Sequence, residues 1–239
     1  MSNLQKRKYY YAYPVATYFG KIDIQSDDYM KFVIRDDCPD DNHAHAIDLG
    51  LSVKWACCNV GATKPEEYGG YYAWGETEEK SFYEIDHYKW YKGSSESYTK
   101  YNNDISYGPV DNKTVLDPED DVARVRWGGS WRMPTSAECK ELIDNCDTEW
   151  TTLNGVSGRK FTSRINGNSI FLPVAGFHDY DELARVGSHG SYWSSSLSAY
   201  DTDDAYGMYF ELDYVQMETD RRFYGQSVRP VFIEEKESE

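Results

Sequence analysis

The central stretch of the chain reads Arg132-Met133-Pro134-Thr135-Ser136-Ala137-Glu138. Thr135 followed three residues later by Glu138 is a capping box, so a helix is expected to begin here and to run to about Asn145. Apolar side chains then recur at i, i+3, i+4 and i+7, the spacing of a buried helix face: Cys139, Leu142, Ile143 and Cys146. Two cysteines are therefore predicted to pack in the core as small hydrophobic residues.

Upstream of this helix, apolar and polar residues alternate over residues 47–55, which predicts one regular strand with a buried face. Asp117 is a candidate N-cap and Pro118 a first helical residue, which together predict a short helix to about residue 125. Residues 65–114 are rich in Tyr, Gly and Ser and predict a long loop region, with a short strand at residues 71–74. Long ordered loops frequently carry function.

Downstream of the helix, the pattern is one of short strands and turns. Strands are predicted over residues 160–165, 169–174, 192–196, 205–210 and 227–233. Few helices, many short strands and long loops predict an α+β fold that is mostly β, and its first and last strands are expected to pair.

Composition divides the chain into three parts. Residues 1–45 open with an aromatic run and are interpreted as an extended arm for attachment or oligomerisation, residues 46–233 as one domain, and residues 234–239 as an acidic tail. The chain has 239 residues and a net charge of -16, which opposes nucleic acid and anionic membranes. Its basic start lacks an apolar region, so neither Sec export nor membrane insertion is expected, and the cysteines are expected to stay reduced.

Motifs for catalysis are missing from the sequence. Ser194, Ser195 and Ser196 lack the glycines of a nucleophile elbow, and Gly128-Gly129-Ser130 lacks the ending of a phosphate loop. We therefore predict no enzyme, no catalytic residue, no cofactor and no metal site. A structural calcium ion stays an open alternative at four acidic positions, although helix capping explains them without an ion: Asp117, Glu119, Asp120 and Asp121.

Six passages, in order along the chain, carry a resemblance to a known family. They are Ala46-Ile47-Asp48-Leu49-Gly50-Leu51-Ser52-Val53-Lys54-Trp55-Ala56, Tyr72-Ala73-Trp74-Gly75-Glu76-Thr77, Trp127-Gly128-Gly129-Ser130-Trp131-Arg132-Met133-Pro134-Thr135, Asn168-Ser169-Ile170-Phe171-Leu172-Pro173-Val174-Ala175-Gly176, Tyr192-Trp193-Ser194-Ser195-Ser196 and Ser227-Val228-Arg229-Pro230-Val231. Over residues 46–233 the chain resembles the Fibrobacter succinogenes major paralogous domain, common in gut Bacteroidales, including Bacteroides, and their phages. The resemblance implies a C-type-lectin-like, formylglycine-generating-enzyme-like fold. The enzyme branch uses a cysteine pair near its C-terminus, and here no cysteine follows Cys146.

Some members of that family are variable proteins of diversity-generating retroelements, and the corresponding stretch here is residues 198–224. Alternation predicts that Tyr206, Met208 and Phe210 point inward. The predicted ligand-binding residues are those left outward: Tyr200, Asp201, Asp203, Tyr209, Glu211, Asp213, Tyr214, Gln216, Glu218, Asp220, Arg221, Phe223 and Tyr224. Tyrosines, carboxylates and arginine on a rigid scaffold resemble the contact residues of antibody loops.

The resulting hypothesis is a non-catalytic ligand-binding or receptor-binding protein, acting in adhesion as a component of a phage virion. Its expected partner is a cell-surface protein or glycan, with other virion proteins as candidate partners of residues 1–45 and a homo-oligomer as a candidate assembly. Cytoplasmic location, or a cell-surface location reached without Sec, are the alternatives. The alternative functions are a structural virion decoration or assembly protein and an enzyme of the formylglycine-generating type.

Overall fold

The computed structural model describes residues 9–11, 31–33, 45–93 and 97–234. In the first two ranges, β1 (Tyr9–Tyr11) pairs antiparallel with β2 (Lys31–Val33). The rest of the predicted arm up to residue 44 lies outside the described residues, as does the predicted acidic tail beyond Glu234.

The domain consists mostly of short antiparallel strands, which confirms the mostly β prediction. Its elements are β3 (Ala46–Ile47), β4 (Lys54–Ala56), α1 (Val122–Trp127), β5 (Trp131–Arg132), α2 (Ser136–Asn145), β6 (Cys146–Leu153), β7 (Val156–Ser163), β8 (Ser169–Pro173), β9 (Phe177–Asp179), β10 (Glu182–Ala184), β11 (Gly190–Leu197), β12 (Asp204–Phe210), β13 (Val215–Arg221) and β14 (Val231–Phe232). The sheets have the orders β3-β4-β14-β5, β6-β7-β8, β11-β12-β13 and β9-β10. Among the described residues, a helix with the length and apolar character needed to cross a membrane is not found.

The two ends of the domain meet in one sheet. Val231 of β14 lies opposite Trp55 of β4 on one side and opposite Arg132 of β5 on the other. Trp55 and Val231 are almost completely buried. The expected pairing of first and last strands is therefore confirmed, and it joins residues far apart in sequence.

The prediction of one strand over residues 47–55 is wrong. β3 and β4 run antiparallel, with Ile47 opposite Trp55. The chain reverses between them because the Asp48 carboxylate accepts a hydrogen bond from the Gly50 amide at 2.7 Å and Gly50 has a φ of 71°, which a glycine tolerates. The alternating apolar residues Leu49 and Val53 are buried from this loop instead.

The predicted capping box of α2 is confirmed. Thr135 Oγ1 accepts from the Glu138 amide at 3.3 Å, and Glu138 Oε2 accepts from the Thr135 amide at 2.8 Å. Arg132 holds the same Glu138 carboxylate from β5. Cys139, Leu142 and Cys146 are buried, as their helical spacing predicts.

The short helix α1 begins later than predicted. Its N-cap is Asp121, whose carboxylate accepts from the Arg124 amide at 3.0 Å, whereas Asp117 only precedes a turn in which its carbonyl oxygen accepts from the Asp120 amide. The other oxygen of Asp121 accepts from the Met133 amide at 2.8 Å. Asp121 therefore joins α1 to the segment after β5, a tertiary contact that the local pattern around Pro118 does not reveal.

Most of the predicted strands downstream of α2 are confirmed, as β7, β8, β11 and β12, while residues 227–233 contribute only the short β14. α2 packs against the β11-β12-β13 sheet and against β6 and β7. The core between these elements contains fully or almost fully buried side chains: Leu142, Phe161, Leu172, Met208 and Phe210. Removal of this apolar surface from water is the main stabilising contribution.

Tyrosines hold the long loop region over residues 65–114 in place. Tyr71, Tyr83 and Tyr88 are buried, and each hydroxyl donates to a buried carbonyl oxygen at 2.6 Å, those of Ala175, Tyr71 and Trp74 respectively. The predicted strand at residues 71–74 is reduced to an isolated bridge between Tyr72 and Gln226. Much of the aromatic content is therefore structural, because the rings supply apolar area and the hydroxyls satisfy backbone groups.

Two fully buried arginines connect loops to the sheets. Arg229 donates to Asn59 Oδ1 at 2.8 Å and to the carbonyl oxygens of Ala56, Cys57 and Phe171 at 2.9 to 3.1 Å. These acceptors come from the start of the domain and from β8. A single guanidinium therefore satisfies backbone groups of segments that are distant in sequence.

Arg222 has the same role at the other side of the domain. It donates to the Tyr88 hydroxyl at 3.0 Å and to the carbonyl oxygens of Lys100, Tyr101 and Thr202. Three aromatic rings surround its guanidinium, at 4.4 to 5.2 Å from their centroids: Trp74, Tyr88 and Tyr98. The long loop region is thus attached to the segment that follows β13.

Replacing Arg229 by methionine is expected to lower the free energy of unfolding by at least about 3 kcal/mol, because several buried acceptors would lose their donor. Urea unfolding followed by tryptophan fluorescence measures the change. The matched control is Arg126→Met, since Arg126 is exposed and pairs with exposed Glu78; a loss below about 1 kcal/mol is expected there. Equal losses in the two variants would contradict the connecting role of Arg229.

Candidate ligand-binding face

The hairpin of β12 and β13 has one face against the core that contains α2, and its second face is open around Gln216 and Glu218 but covered at Ala205, which packs in another core cluster with Trp193. Met208 and Phe210 of β12 are buried in the core that contains α2, and Met217 of β13 packs against that core. Because side chains alternate along a strand, Tyr209, Gln216, Glu218 and Asp220 lie on the opposite face. We call this second surface, with the adjoining residues described below, the outer face.

A glycine leaves room for a long side chain across the outer face. A Cβ atom at Gly207 would lie 3.3 Å from Gln226 Oε1, so the Gln226 side chain passes over β12 at this residue. Gln226 Nε2 then donates to Asp220 Oδ2 at 2.9 Å, and Asp220 Oδ1 accepts from the Arg221 amide. Gln226 is 2% exposed, so Asp220 is held by a buried amide.

Several carboxylates lie close together at this end of the outer face. Burial raises the pKa of Asp220 to about 6, and the neighbouring charges of Asp204, Glu218 and Asp179 act in the same direction. Burial also raises the pKa of Asp179 on β9, and its Oδ1 atom is buried without a hydrogen-bond partner among the described residues. The hairpin of β9 and β10 therefore brings a further acidic group to the face.

The other end of the outer face is formed around His189. Its ring lies edge-on to Tyr209 with centroids 5.4 Å apart, its Nε2 atom is 2.7 Å from Arg185 Nη1, and the Glu211 carboxylate contacts the same nitrogen. Burial lowers the pKa of His189, against the opposing effect of Glu211. Arg159 fixes the adjoining turn by donating to the carbonyl oxygens of residues 211 and 212.

Ser188, His189 and Glu211 have the residue types of a catalytic triad, and the histidine ring contacts both of the others, but Ser188 has a second hydrogen-bond acceptor. Ser188 Oγ donates its proton to the Arg185 carbonyl oxygen at 2.9 Å. Ser188 Oγ also lies 3.0 Å from His189 Nδ1, and which of these two atoms donates depends on the tautomer of the ring. The Arg185 carbonyl oxygen and His189 Nδ1 therefore compete for the single hydroxyl proton of Ser188.

All of the predicted ligand-binding residues except Phe223 fall into two groups in the structure. The outer face and its turn bring together Tyr209, Glu211, Asp213, Tyr214, Gln216, Glu218, Asp220 and Tyr224. Phe223 packs with Tyr224 at 5.0 Å and against the tyrosine-rich core, and is partly buried. Tyr200, Asp201, Asp203 and Arg221 belong to a different surface.

That second surface lies at the start of β12. Arg221 pairs with Asp203 at 3.0 Å, with Asp204 at 3.3 Å and with Asp201 at 3.9 Å, so these charges are largely used within the chain. Tyr200 is 90% exposed. It borders a shallow depression lined by Asn103, Asp104, Ile105, Val110, Ala199, Tyr200 and Thr202.

Other residues of the stretch 198–224 are structural. Met208 and Phe210 point inward as predicted, whereas Tyr206 is only partly buried. Thr202 and Arg222 are buried as well, although the sequence pattern gives no indication of it. The sequence also did not point to Asp179, Arg185, His189 or Gln226 as parts of the face, because they reach it from other elements and carry no local motif.

The acidic positions considered for calcium are bound to lysines. Lys100 Nζ lies 2.6 Å from both Asp117 and Asp120, and Lys89 Nζ lies 2.8 Å from Asp120. The hydrogen bond from Lys100 is the largest cause of a lowered pKa of Asp117, and Lys113 acts in the same direction. The ammonium groups therefore occupy the position among the carboxylates that a cation would need, and Asp121 is used as a helix cap.

The thiols of α2 and β6 are poorly suited to nucleophilic chemistry. Cys139 and Cys146 are buried and form no disulfide. Burial raises the pKa of Cys139 far above its ordinary value and that of Cys146 to about 11, so both remain protonated at neutral pH.

Comparison with known proteins gives one family match. A family model described as a domain of unknown function, DUF8237, matches residues 143–231, which run from the end of α2 to β14 and include β12, β13 and most of the outer face. No curated protein and no solved structure matches the chain.

Replacing Asp220 by asparagine is expected to remove a pH dependence of stability. A folded pKa of about 6, above the ordinary value near 4, stabilises the protein fully below pH 4, and this contribution is lost as the pH rises through 6. Asp220→Asn should therefore raise the free energy of unfolding at pH 7.5, by up to about 3 kcal/mol, and change it little at pH 4. Urea unfolding at both pH values measures this.

The matched control for this change is Asp86→Asn, because Asp86 is exposed and lies in the 3-10 helix Ile85–His87, outside the strands of the outer face. A direct check is the ¹³C titration of the Asp220 carboxyl carbon. A midpoint near 4 for Asp220, or equal effects of the two substitutions, would contradict the buried acidic cluster.

Proposed function

We propose that this chain is a non-catalytic ligand-binding or receptor-binding protein with a C-type-lectin-like domain, and that the outer face is its contact surface. One observation carries the proposal. Tyr209, Gln216 and Glu218 lie on a strand pair whose other face is anchored in the core, and Tyr214 lies in the turn that joins the two strands. Aromatic rings and directional polar groups on a rigid support are the composition of protein contact surfaces.

The support for rigidity comes from the contacts beneath and beside the face. Arg159 fixes the turn between β12 and β13, Gln226 holds Asp220, and Met208 is 1% exposed below the strands. Little conformational entropy then has to be lost when a partner binds.

The family resemblance extends the proposal to a variable protein of a diversity-generating retroelement, carried on a phage virion. In that case, substitutions in the stretch 198–224 would be tolerated at outer-face positions such as Tyr214, Gln216 and Glu218. They would be excluded at Phe210 and Arg222, which are completely buried. Residues 1–45 would attach the domain to the particle, and a cell-surface protein or glycan would be the ligand.

The triple variant Tyr214→Ala, Gln216→Ala, Glu218→Ala is expected to weaken binding of the full-length chain to its target cells by at least about tenfold. These residues are exposed, so their loss removes contacts without removing core. The measurement is flow cytometry of labelled protein on a panel of Bacteroidales strains, together with a glycan array.

The control triple variant changes exposed residues elsewhere, on α2 and β6: Lys140→Ala, Glu149→Ala, Thr152→Ala. It is expected to bind like the original chain. Binding that survives the outer-face variant, or that is lost only when residues 1–45 are deleted, would refute the outer face as the contact surface and favour an assembly role.

The retroelement part of the proposal makes a separate prediction about the gene. A reverse-transcriptase gene and a near-identical repeat of the codons for residues 198–224, differing at adenines, are expected nearby. Sequencing of the surrounding locus checks this. If neither is present, the diversification proposal fails while the binding proposal stands.

A further inference from the structure

The outer face is a sheet surface that the described chain leaves open at its centre. Gln216 and Glu218 are exposed, and the turn residue Tyr214 is 37% exposed beside them. Asp220 and Tyr209 adjoin them and are only partly buried. A partner can therefore reach both the carboxylates and the rings.

We propose that the outer face docks a basic protein surface, with an arginine or lysine of the partner pairing with Glu218 and Asp220 beside the Tyr209 ring. This inference rests on the proposed function, because it names the chemistry of the partner that the same face binds.

The first argument is an excess of negative charge at the face. Glu218 and Asp220 are two residues apart on β13, and the charge of Asp179 acts on Asp220 from β9. Asp179 also faces Glu182 directly across the β9 and β10 hairpin. Like charges this close oppose one another unless a cation enters.

The second argument is that the cations of the chain beside Asp220 are already engaged. Arg221 pairs with Asp203 and Asp204, and Arg222 is buried among carbonyl oxygens and rings. The exposed Arg185 lies at the other end of the face, where it contacts His189 and its charge acts on Tyr209 and Tyr214. The counter-charge for Glu218 and Asp220 is therefore best supplied from outside. A basic partner would also be steered towards a chain with a net charge of -16.

The third argument is the aromatic setting of these carboxylates. Tyr209 lies on the same face as Gln216, directly across the strand pair, and Tyr224 lies near Asp179 and Asp220. Arginine pairs with carboxylates through a planar fork and stacks on aromatic rings, so it uses both features of the face at once. A neutral glycan would leave the charges uncompensated, and a nucleic acid would add to them.

Binding of a cation favours the ionised form of Asp220. The affinity of the outer face for a basic partner is therefore expected to decrease as the pH is lowered. The groups that face this carboxyl are Asp204 from β12, Glu218 and the Arg221 amide from β13, Asp179 from β9, and the Gln226 amide. With a pKa of about 6 in the free protein and an ordinary value near 4 in the complex, affinity at pH 5 would be about tenfold lower than at pH 7.5.

The test uses the full-length, isotope-labelled chain and a capped hexapeptide of arginine as the probe. At pH 7.5, NMR titration is expected to shift the resonances of outer-face residues first: Tyr209, Gln216, Glu218, Asp220 and Tyr224. Affinity is expected to fall about tenfold at pH 5, and a hexapeptide of glutamate should not bind.

The double variant Glu218→Gln, Asp220→Asn keeps the shape of the face and removes two charges. It is expected to weaken arginine-peptide binding at least fivefold and to abolish the pH dependence. The control Asp86→Asn, Asp144→Asn removes two exposed charges elsewhere and is expected to change neither. Equal weakening in both variants, or shifts spread evenly over other acidic surfaces, would overturn the proposal.

Cell binding separates this inference from the proposed function. If the alanine triple variant at Tyr214, Gln216 and Glu218 loses cell binding while Glu218→Gln, Asp220→Asn retains it, the face binds but its partner is not basic. If neither variant loses cell binding, the contact surface itself is wrong. Loss in both variants, with the pH dependence described, supports both proposals.

Discussion

The structure depends on two buried guanidinium groups, each of which donates four hydrogen bonds to loop and strand acceptors. A buried charge is costly unless its donors find acceptors, and Arg222 and Arg229 find theirs mainly in backbone carbonyl oxygens. Those carbonyls belong to loops that regular strands do not satisfy. Each arginine therefore supplies donors to loop carbonyl oxygens, and those oxygens provide a polar environment for its buried charge. The loops between β4 and α1 are ordered around Arg222 and the tyrosines that pack beside it.

Buried contacts also hold the side chains of the outer face in place, although few regular strands and helices lie beside that face. The core side of β12 is anchored by Met208 and Phe210, while Gln226 crosses Gly207 and holds Asp220 from the other side. The hydrogen bond to Asp220 does not neutralise its charge, so repulsion from neighbouring carboxylates persists. The outer face thus combines a rigid shape with electrostatic repulsion among its carboxylates.

Local chemistry was sufficient wherever an element depends on residues that are close in sequence. The capping box at Thr135 and the buried spacing of Cys139 and Leu142 were predicted correctly, because helix caps and helix faces involve only near neighbours. The same reasoning was wrong at residues 47–55, where Asp48 and Gly50 turn the chain, and at α1. On the outer face, alternation along β12 correctly separated Tyr209 from Met208 and Phe210.

By itself, the sequence determined the mostly β class, the start and buried face of α2, and the tyrosine-rich, acidic character of the C-terminal stretch. Only the tertiary structure decided which members of that stretch share a surface. It took Arg221 into an ion-pair network with Asp201, Asp203 and Asp204, buried Arg222, and brought Asp179, His189 and Gln226 to the outer face from other segments. The physical reason is that burial and electrostatic contact depend on distance in space, and β9, β13 and the segment before β14 meet only after the sheets have packed.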